Sequence, residues 1–346
     1  MPPTPATGSL VPRPVAASVD ELLAGAERLG GHRPDDMRSS AQFERVVVDG
    51  EPCIVKYVHP DLDFTMRVSG DIGCRPRRVW AAGLMDLAPD LIDHAHLGAA
   101  PWGRNGWGVA LLMRDLQSDL VPVADGPLAE DWHLSFLDHC AGLAARSWGW
   151  EDDLDLLPHH LRWAWFGESQ LAGEAALGFP EAVPRIATEG WARFGELVPA
   201  DVATVVEGLR RDPLPLSAAV RETPQCFVHG DWKVGNLGRA GDGRTVLIDW
   251  AYPGEGPACH ELTWYLALNR TRLPVGHTKL SSIEAFRSSL EGHGVDTDDW
   301  WERQLGLCLL GALVQFGWEK ALGDDPDQRD ELGWWVDAAR TGLRHL

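Results

Sequence analysis

Apolar and polar positions alternate in two short runs near the start of the chain, then settle into helical spacing over most of the remaining residues. Residues 43–48 and 53–58 are rich in β-formers and flank Asp49-Gly50, a hairpin-turn pair, which predicts two antiparallel strands. Ahead of them, Ser18 followed by Asp20 and Glu21 supplies a cap and first-turn acids, predicting a short helix that ends near Gly30-Gly31. Residues 109–116 predict an apolar strand running into a polar link. Beyond it the spacing predicts helices over 131–147, around 191–211, and over 261–269, 283–292, 298–322 and 331–343, with short strands at Phe227 and Val246 between them.

Composition changes this picture at a few points. A chain of 346 residues predicts about two domains with ample core. The first eighteen residues are rich in Pro and Ala and lack the charged and apolar regions of a signal peptide, so residues 1–18 are expected to be a disordered tail. The longest apolar run, residues 305–314, is far short of the roughly twenty residues that span a bilayer and reads as a buried helix. The formal charge of −20 argues against nucleic acid or an anionic membrane as a partner and is compatible with a cationic substrate. Six scattered cysteines without a Cys-x-x-Cys pair signal neither zinc nor a disulfide framework, and a reducing cytoplasm is the expected location. The seventeen tryptophans are expected mostly in the core.

The candidate chemistry is concentrated in one stretch. Val228-His229-Gly230-Asp231-Trp232-Lys233-Val234-Gly235-Asn236 is followed by Leu247-Ile248-Asp249-Trp250, a strand, loop and strand carrying a carboxylate, an amide and a second carboxylate. Phosphoryl transfer asks for a carboxylate that orients an attacking hydroxyl and oxygen ligands for a phosphate-bridging Mg²⁺. Asp231 suits the first task, and Asn236 and Asp249 the second. Lysine usage points the same way. Of 31 basic residues only Lys56, Lys233, Lys279 and Lys320 are lysine, and a compact ammonium suits phosphate oxygens better than a rigid guanidinium fork.

His-x-Asp-x-x-x-x-Asn with a downstream apolar-Asp-Trp resembles the motifs of the aminoglycoside phosphotransferase and choline kinase-like family, small-molecule relatives of the protein kinases. The resemblance spans about residues 38–262 and is strongest over 228–250. It implies an α+β, two-lobed protein kinase-like fold: a small antiparallel β N-lobe at 19–113 and a mainly helical C-lobe at 114–346. It further implies an ATP- and Mg²⁺-dependent enzyme that phosphorylates a hydroxyl of a small molecule such as an aminoglycoside, amino-alcohol or sugar.

Carried over residue by residue, Asp231 would be the catalytic base and Lys233 would sit against the γ-phosphate. Lys56 resembles the lysine that reaches the α- and β-phosphates. Ser39 and Ser40 stand where kinases carry a glycine-rich phosphate cover, and Met113 stands at the hinge that holds adenine. His229 would brace the loop and Glu261 anchor it. One departure stands out: kinases pair the strand lysine with a helix glutamate, yet no glutamate occurs from Pro52 to Ala129. Asp71 or Asp86 would substitute, or Lys56 would rely on Asp249 and phosphate. That departure keeps a nucleotide-binding pseudokinase or regulatory protein on the same fold as the alternative.

Overall fold

The computed structural model describes residues 10–32, 41–116, 118–124 and 126–346; Ser39 and Ser40 lie outside them. The strands are β1 (Glu27–His32), β2 (Gln42–Val48), β3 (Glu51–Val58), β4 (Ile92–Asp93), β5 (His96–Trp102), β6 (Gly108–Arg114), β7 (Cys226–Val228), β8 (Leu237–Arg239), β9 (Thr245–Leu247) and β10 (Gly254–Gly256). The helices are α1 (Val19–Leu22), α2 (Phe64–Val68), α3 (Arg75–Ala82), α4 (Glu130–Arg146), α5 (Glu168–Ala176), α6 (Ala182–Leu197), α7 (Ala200–Arg211), α8 (Leu214–Arg221), α9 (Ala258–Leu268), α10 (Lys279–Gly292), α11 (Trp301–Lys320) and α12 (Pro326–Leu343).

The hairpin around Asp49-Gly50 forms and grows into an antiparallel sheet ordered β1-β2-β3-β6-β5. Period-2 alternation gives this sheet two distinct faces. Val55, Tyr57, Ala110 and Leu112 make a small cluster on the outer face, under α1. Ile54, Val58, Leu111 and Met113 join the main core on the inner face. Lys56 lies between Ile54 and Val58 in the alternation, so its side chain points inward, toward the helical part of the chain.

That part is built from α4 to α12 around α11, whose all-round apolar sequence buries it among α6, α7, α9 and α12. Two small sheets sit between the helices and the large sheet: β7 paired with β10, and β8 with β9 and β4. They carry the loops of interest. No helix among the described residues is long and apolar enough to cross a membrane. All six cysteines are buried and free.

Three expectations need correction. The tail expected over 1–18 is docked from residue 10 on: Ala16 N donates to Ala99 O (2.9 Å), Arg13 grips Asp86 through two bonds (2.6 and 2.7 Å), and the Trp80 indole donates to Pro14 O (2.9 Å). Pro12 and Pro14 restrict the free segment, so little entropy is lost when it lies down. The helix expected to reach Gly30 stops at Leu22, because Gly25 turns the chain at φ 81° and 27–32 pairs with β2, fastened by Arg28 to Glu44. The single helix expected around 191–211 is two helices, α6 and α7, divided at Val198-Pro199, where proline removes a backbone donor and disfavours helix in the residue before it.

Candidate active site

Strand β7 delivers the chain into His229-Gly230-Asp231 at the centre of the molecule. Gly230 has φ 82°, and a Cβ there would lie 2.3 Å from Tyr252 O, so the loop needs glycine for both conformation and space. His229 is fully buried. Its Nε2–H donates to Ile248 O (3.1 Å) and its Nδ1 accepts from Asp231 N (3.2 Å), while its ring meets the Trp250 ring edge-on. Burial pushes this imidazole down to about 3, so it is a neutral brace between the two loops and not a proton shuttle. Glu261, at the start of α9, accepts from Gly230 N (2.8 Å) and anchors the loop from behind. Its own burial pushes it up to about 7.

Asp231 is 1% exposed and held from three directions. Its Oδ2 accepts from Lys233 Nζ (2.7 Å) and Asn236 Nδ2 (2.7 Å), and its Oδ1 from the Trp264 indole (2.8 Å). Burial raises its proton affinity, against the pull of the Lys233 ammonium, and the neighbouring Asp249 charge adds to the rise.

Asp249 lies just past the end of β9 with φ 64°, a left-handed conformation that Asp tolerates better than most residues. Its Oδ1 binds Lys56 Nζ (2.7 Å) across 193 residues of sequence. Burial would raise this carboxyl too, but Lys56 and then Lys233 outweigh burial and hold it at about 2. Two aspartates in one site are thus driven apart, Asp231 toward accepting a proton and Asp249 toward permanent charge, an arrangement typical of acid–base division of labour.

The donor set suits a hard cation. Asn236 spends Nδ2 on the Asp231 carboxylate, which fixes the amide orientation and turns Oδ1 away as a neutral oxygen. Asp249 keeps Oδ2 outside its bond to Lys56. One neutral and one anionic oxygen fit Mg²⁺ sharing its shell with phosphate and water.

Lys56, Lys233, Asp231, Asn236 and Asp249 therefore form one network. Met113 stands apart from it, in the interior strand β6, paired with Ile54 and His96. The N–H groups that come after it are already spent, Arg114 N on Ala95 O and Asp115 N on Pro52 O. The substitutes expected for the missing glutamate are engaged elsewhere: Asp71 caps Arg75 N, and Asp86 binds Arg13 and His94. After Asp249, the carboxylate that acts most on Lys56 is Asp63, the N-cap of α2.

Two supporting residues escaped the sequence reading. Trp264 stands one helical turn after Glu261, so the i, i+3 spacing on α9 could have paired them. Asn269, whose Oδ1 accepts from Val234 N (3.1 Å), carried no signal of its own.

A profile of the phosphotransferase enzyme family (APH) matches residues 93–279, a span that holds Asp231, Asn236 and Asp249 and excludes Lys56. No curated protein matches the chain. Among solved structures, the amicoumacin kinase hAmiN in complex with AMP-PNP, Ca²⁺ and Ami is similar at 12% identity, covering 91% of this chain and 90% of that one, with a TM-score of 0.51. The choline kinase LicA from Streptococcus pneumoniae is 11% identical over 93% of this chain and 96% of its own, TM-score 0.46. Macrolide 2'-phosphotransferase MphH from Brachybacterium faecium is 13% identical over 92% and 97%, TM-score 0.46. The hAmiN likeness is one of fold, the two-lobed kinase-like α+β fold. The other two add no weight at these scores.

Proposed function

The chain belongs to the phosphotransferase enzyme family, and from that premise we propose that it transfers the γ-phosphoryl group of ATP to a hydroxyl of a small molecule. One observation carries the reading: two aspartates with opposite proton affinities, each bound to one of two lysines, around a single point. In this reading residues 19–113 form the nucleotide lobe and 114–346 the catalytic and acceptor lobe.

Asp231 orients the acceptor hydroxyl and receives its proton. Among the described residues its Oδ1 has a single donor, Trp264, and so keeps a lone pair for the incoming alcohol. Lys233 stays at Oδ2 and faces the transferred group. Lys56 leaves Asp249 for the α- and β-phosphates. Asn236 and Asp249 would hold Mg²⁺, which when bound supplies positive charge to the phosphate oxygens. The acceptor belongs among hydroxylated amines, aminoglycosides, sugars or related natural products.

The test is ADP release from MgATP across a panel of aminoglycosides, amino-alcohols, macrolides, nucleosides and sugars, by wild type and Asp231→Asn. One compound class should stimulate release, and the variant should lose about 10²-fold or more of it, the ordinary cost of removing a positioned base. An Asp231→Asn enzyme that keeps a tenth of wild-type turnover would reject the base assignment. Nucleotide binding without ADP from any compound would favour the pseudokinase.

A further inference from the structure

The two sides of Asp231 differ in how they are closed. Toward the nucleotide, the side chains of Lys233 (36% exposed) and Asp249 (33%) reach solvent. Toward the acceptor, Trp264, which holds Asp231 Oδ1, packs against Trp165, and Trp165 lies on Tyr252 with ring centroids 3.7 Å apart. The Tyr252 hydroxyl meets the Thr65 side chain. Thr65 belongs to a segment that leaves β3 of the large sheet and crosses onto the helical part.

That segment is fastened at defined points. Arg67 makes two parallel bonds to Glu174 of α5 (2.7 and 2.8 Å), lies 3.6 Å from Glu181, and donates back to Pro60 O (3.2 Å). Phe64 N donates to Glu181 Oε1 (2.7 Å), and the Phe64 ring packs against Phe166, next in sequence to Trp165. Glu174 is 2% exposed, so its carboxylate is removed from water, and among the described residues it is the Arg67 guanidinium that pairs with it. Beyond the segment, Gly70 turns the chain at φ 64° before α3, a natural pivot.

We infer that residues 63–68 are a cover over the acceptor side of Asp231, and that the bidentate Arg67–Glu174 pair is the latch that holds it shut. A base buried to 1% cannot receive an alcohol until something moves. Among the described residues, α2 and the Tyr252–Trp165 stack follow one another from Asp231 through Trp264, and α2 is joined to the helical part by the side-chain bonds of Glu174 and Glu181, which can release without unfolding it. Opening the latch turns α2 away about Gly70 and exposes Glu174 and the aromatic floor to the acceptor, and it carries Asp63 away from Lys56. The inference rests on the phosphotransfer reading only for what lies beneath the cover.

Two readouts test it without turnover. Hydrogen exchange on the full chain should show residues 64–71 losing about tenfold or more of their protection in Arg67→Ala, with β7 to β9 unchanged, because Glu174 loses the guanidinium that binds both its oxygens. In parallel, Asp231→Cys should react slowly with iodoacetamide, against a wild-type baseline in which all six cysteines are buried, and about tenfold faster once Arg67→Ala is added. Unchanged protection at 64–71 would overturn the latch, and equal alkylation rates would overturn the cover. If Asp231→Cys does not fold, the exchange arm decides alone. Failure of every compound to yield ADP would count against the proposed function and leave the latch to these two measurements.

Discussion

Lysine meets carboxylate at two places in this protein, with opposite outcomes. At the cleft, Lys56 and Lys233 each bind one aspartate, the pairs are partly open to solvent, and oxygens of Asp249 and Asn236 stay outside the bonds. At the far side, Lys279 binds Glu331, and Lys320 lies between Glu331 and its own chain neighbour Glu319 (2.7 Å), so that both oxygens of Glu331 are engaged. Glu331 Oε2 takes Lys279 (2.5 Å) and Oε1 takes the Trp335 indole (2.7 Å), with Lys320 at 3.7 Å. Lys320 also donates to Ala267 O (2.5 Å), and the Trp334 and Trp335 rings lie 4.9 and 5.9 Å from the two ammoniums. The second cluster is a clamp joining α9, α10, α11 and α12. A lysine–carboxylate pair becomes a site when its members retain unused valence and an approach from solvent, and a strut when they do not.

The comparison breaks most easily at the clamp. Glu331→Gln takes the carboxylate from the largely buried Lys279 ammonium, while Lys320 keeps Glu319, and should cost about 3 kcal/mol of stability, read from the urea midpoint, with kcat/KM per folded molecule unchanged. A loss of activity without a loss of stability would place Glu331 in the site instead. Lys56→Met should act on the chemistry first: kcat/KM falls about 10²-fold, while the loss of stability is smaller than at Glu331, because the carboxylate left behind keeps a third of its side chain in solvent and Lys233 nearby. Should activity stay within threefold, Lys56–Asp249 is a strut as well.

Glu261 sharpens the contrast as a buried carboxyl without a lysine. Its folded proton affinity, about 7, exceeds the ordinary 4.5, so between those values the folded state holds a proton that the unfolded chain does not. Wild type therefore loses stability as pH rises through that window. Glu261→Gln, which copies the protonated form and keeps an oxygen for Gly230 N, should lack the loss and gain about 2–3 kcal/mol on wild type by pH 8. Parallel stability curves for the two proteins from pH 5 to 8 would show that Glu261 is ionised throughout.

Legibility followed locality. His229, Asp231, Lys233, Asn236 and Asp249 lie within about twenty residues on two short strands and a loop, so their mutual reach is set by chain geometry alone. The hairpin at Asp49-Gly50 was legible for the same reason, since one turn sets its register. The strand Glu27–His32 was not. It is exposed almost throughout, carries no alternation, and exists because β2 offers it an edge and Glu44 a partner for Arg28. Strand β5 was missed likewise: its Gly98 and Pro101 read as breakers, and its pairing to β6 is a long-range choice.

The amino-acid sequence by itself determined the phosphotransfer motif, the inward-facing parity of Lys56 and most of the helices, because each depends on neighbours in the chain. Tertiary structure alone decided which carboxylate each lysine meets, since Lys56 finds Asp249 over 193 residues and Lys279 finds Glu331 over 52. It also decided that Asp63, and neither Asp71 nor Asp86, is the next carboxylate acting on Lys56, and that Arg67 closes on Glu174. Burial set the split between Asp231 and Asp249 in the same way. Charge is written in the sequence, but the dielectric around it and the partner across it exist only once the chain has folded.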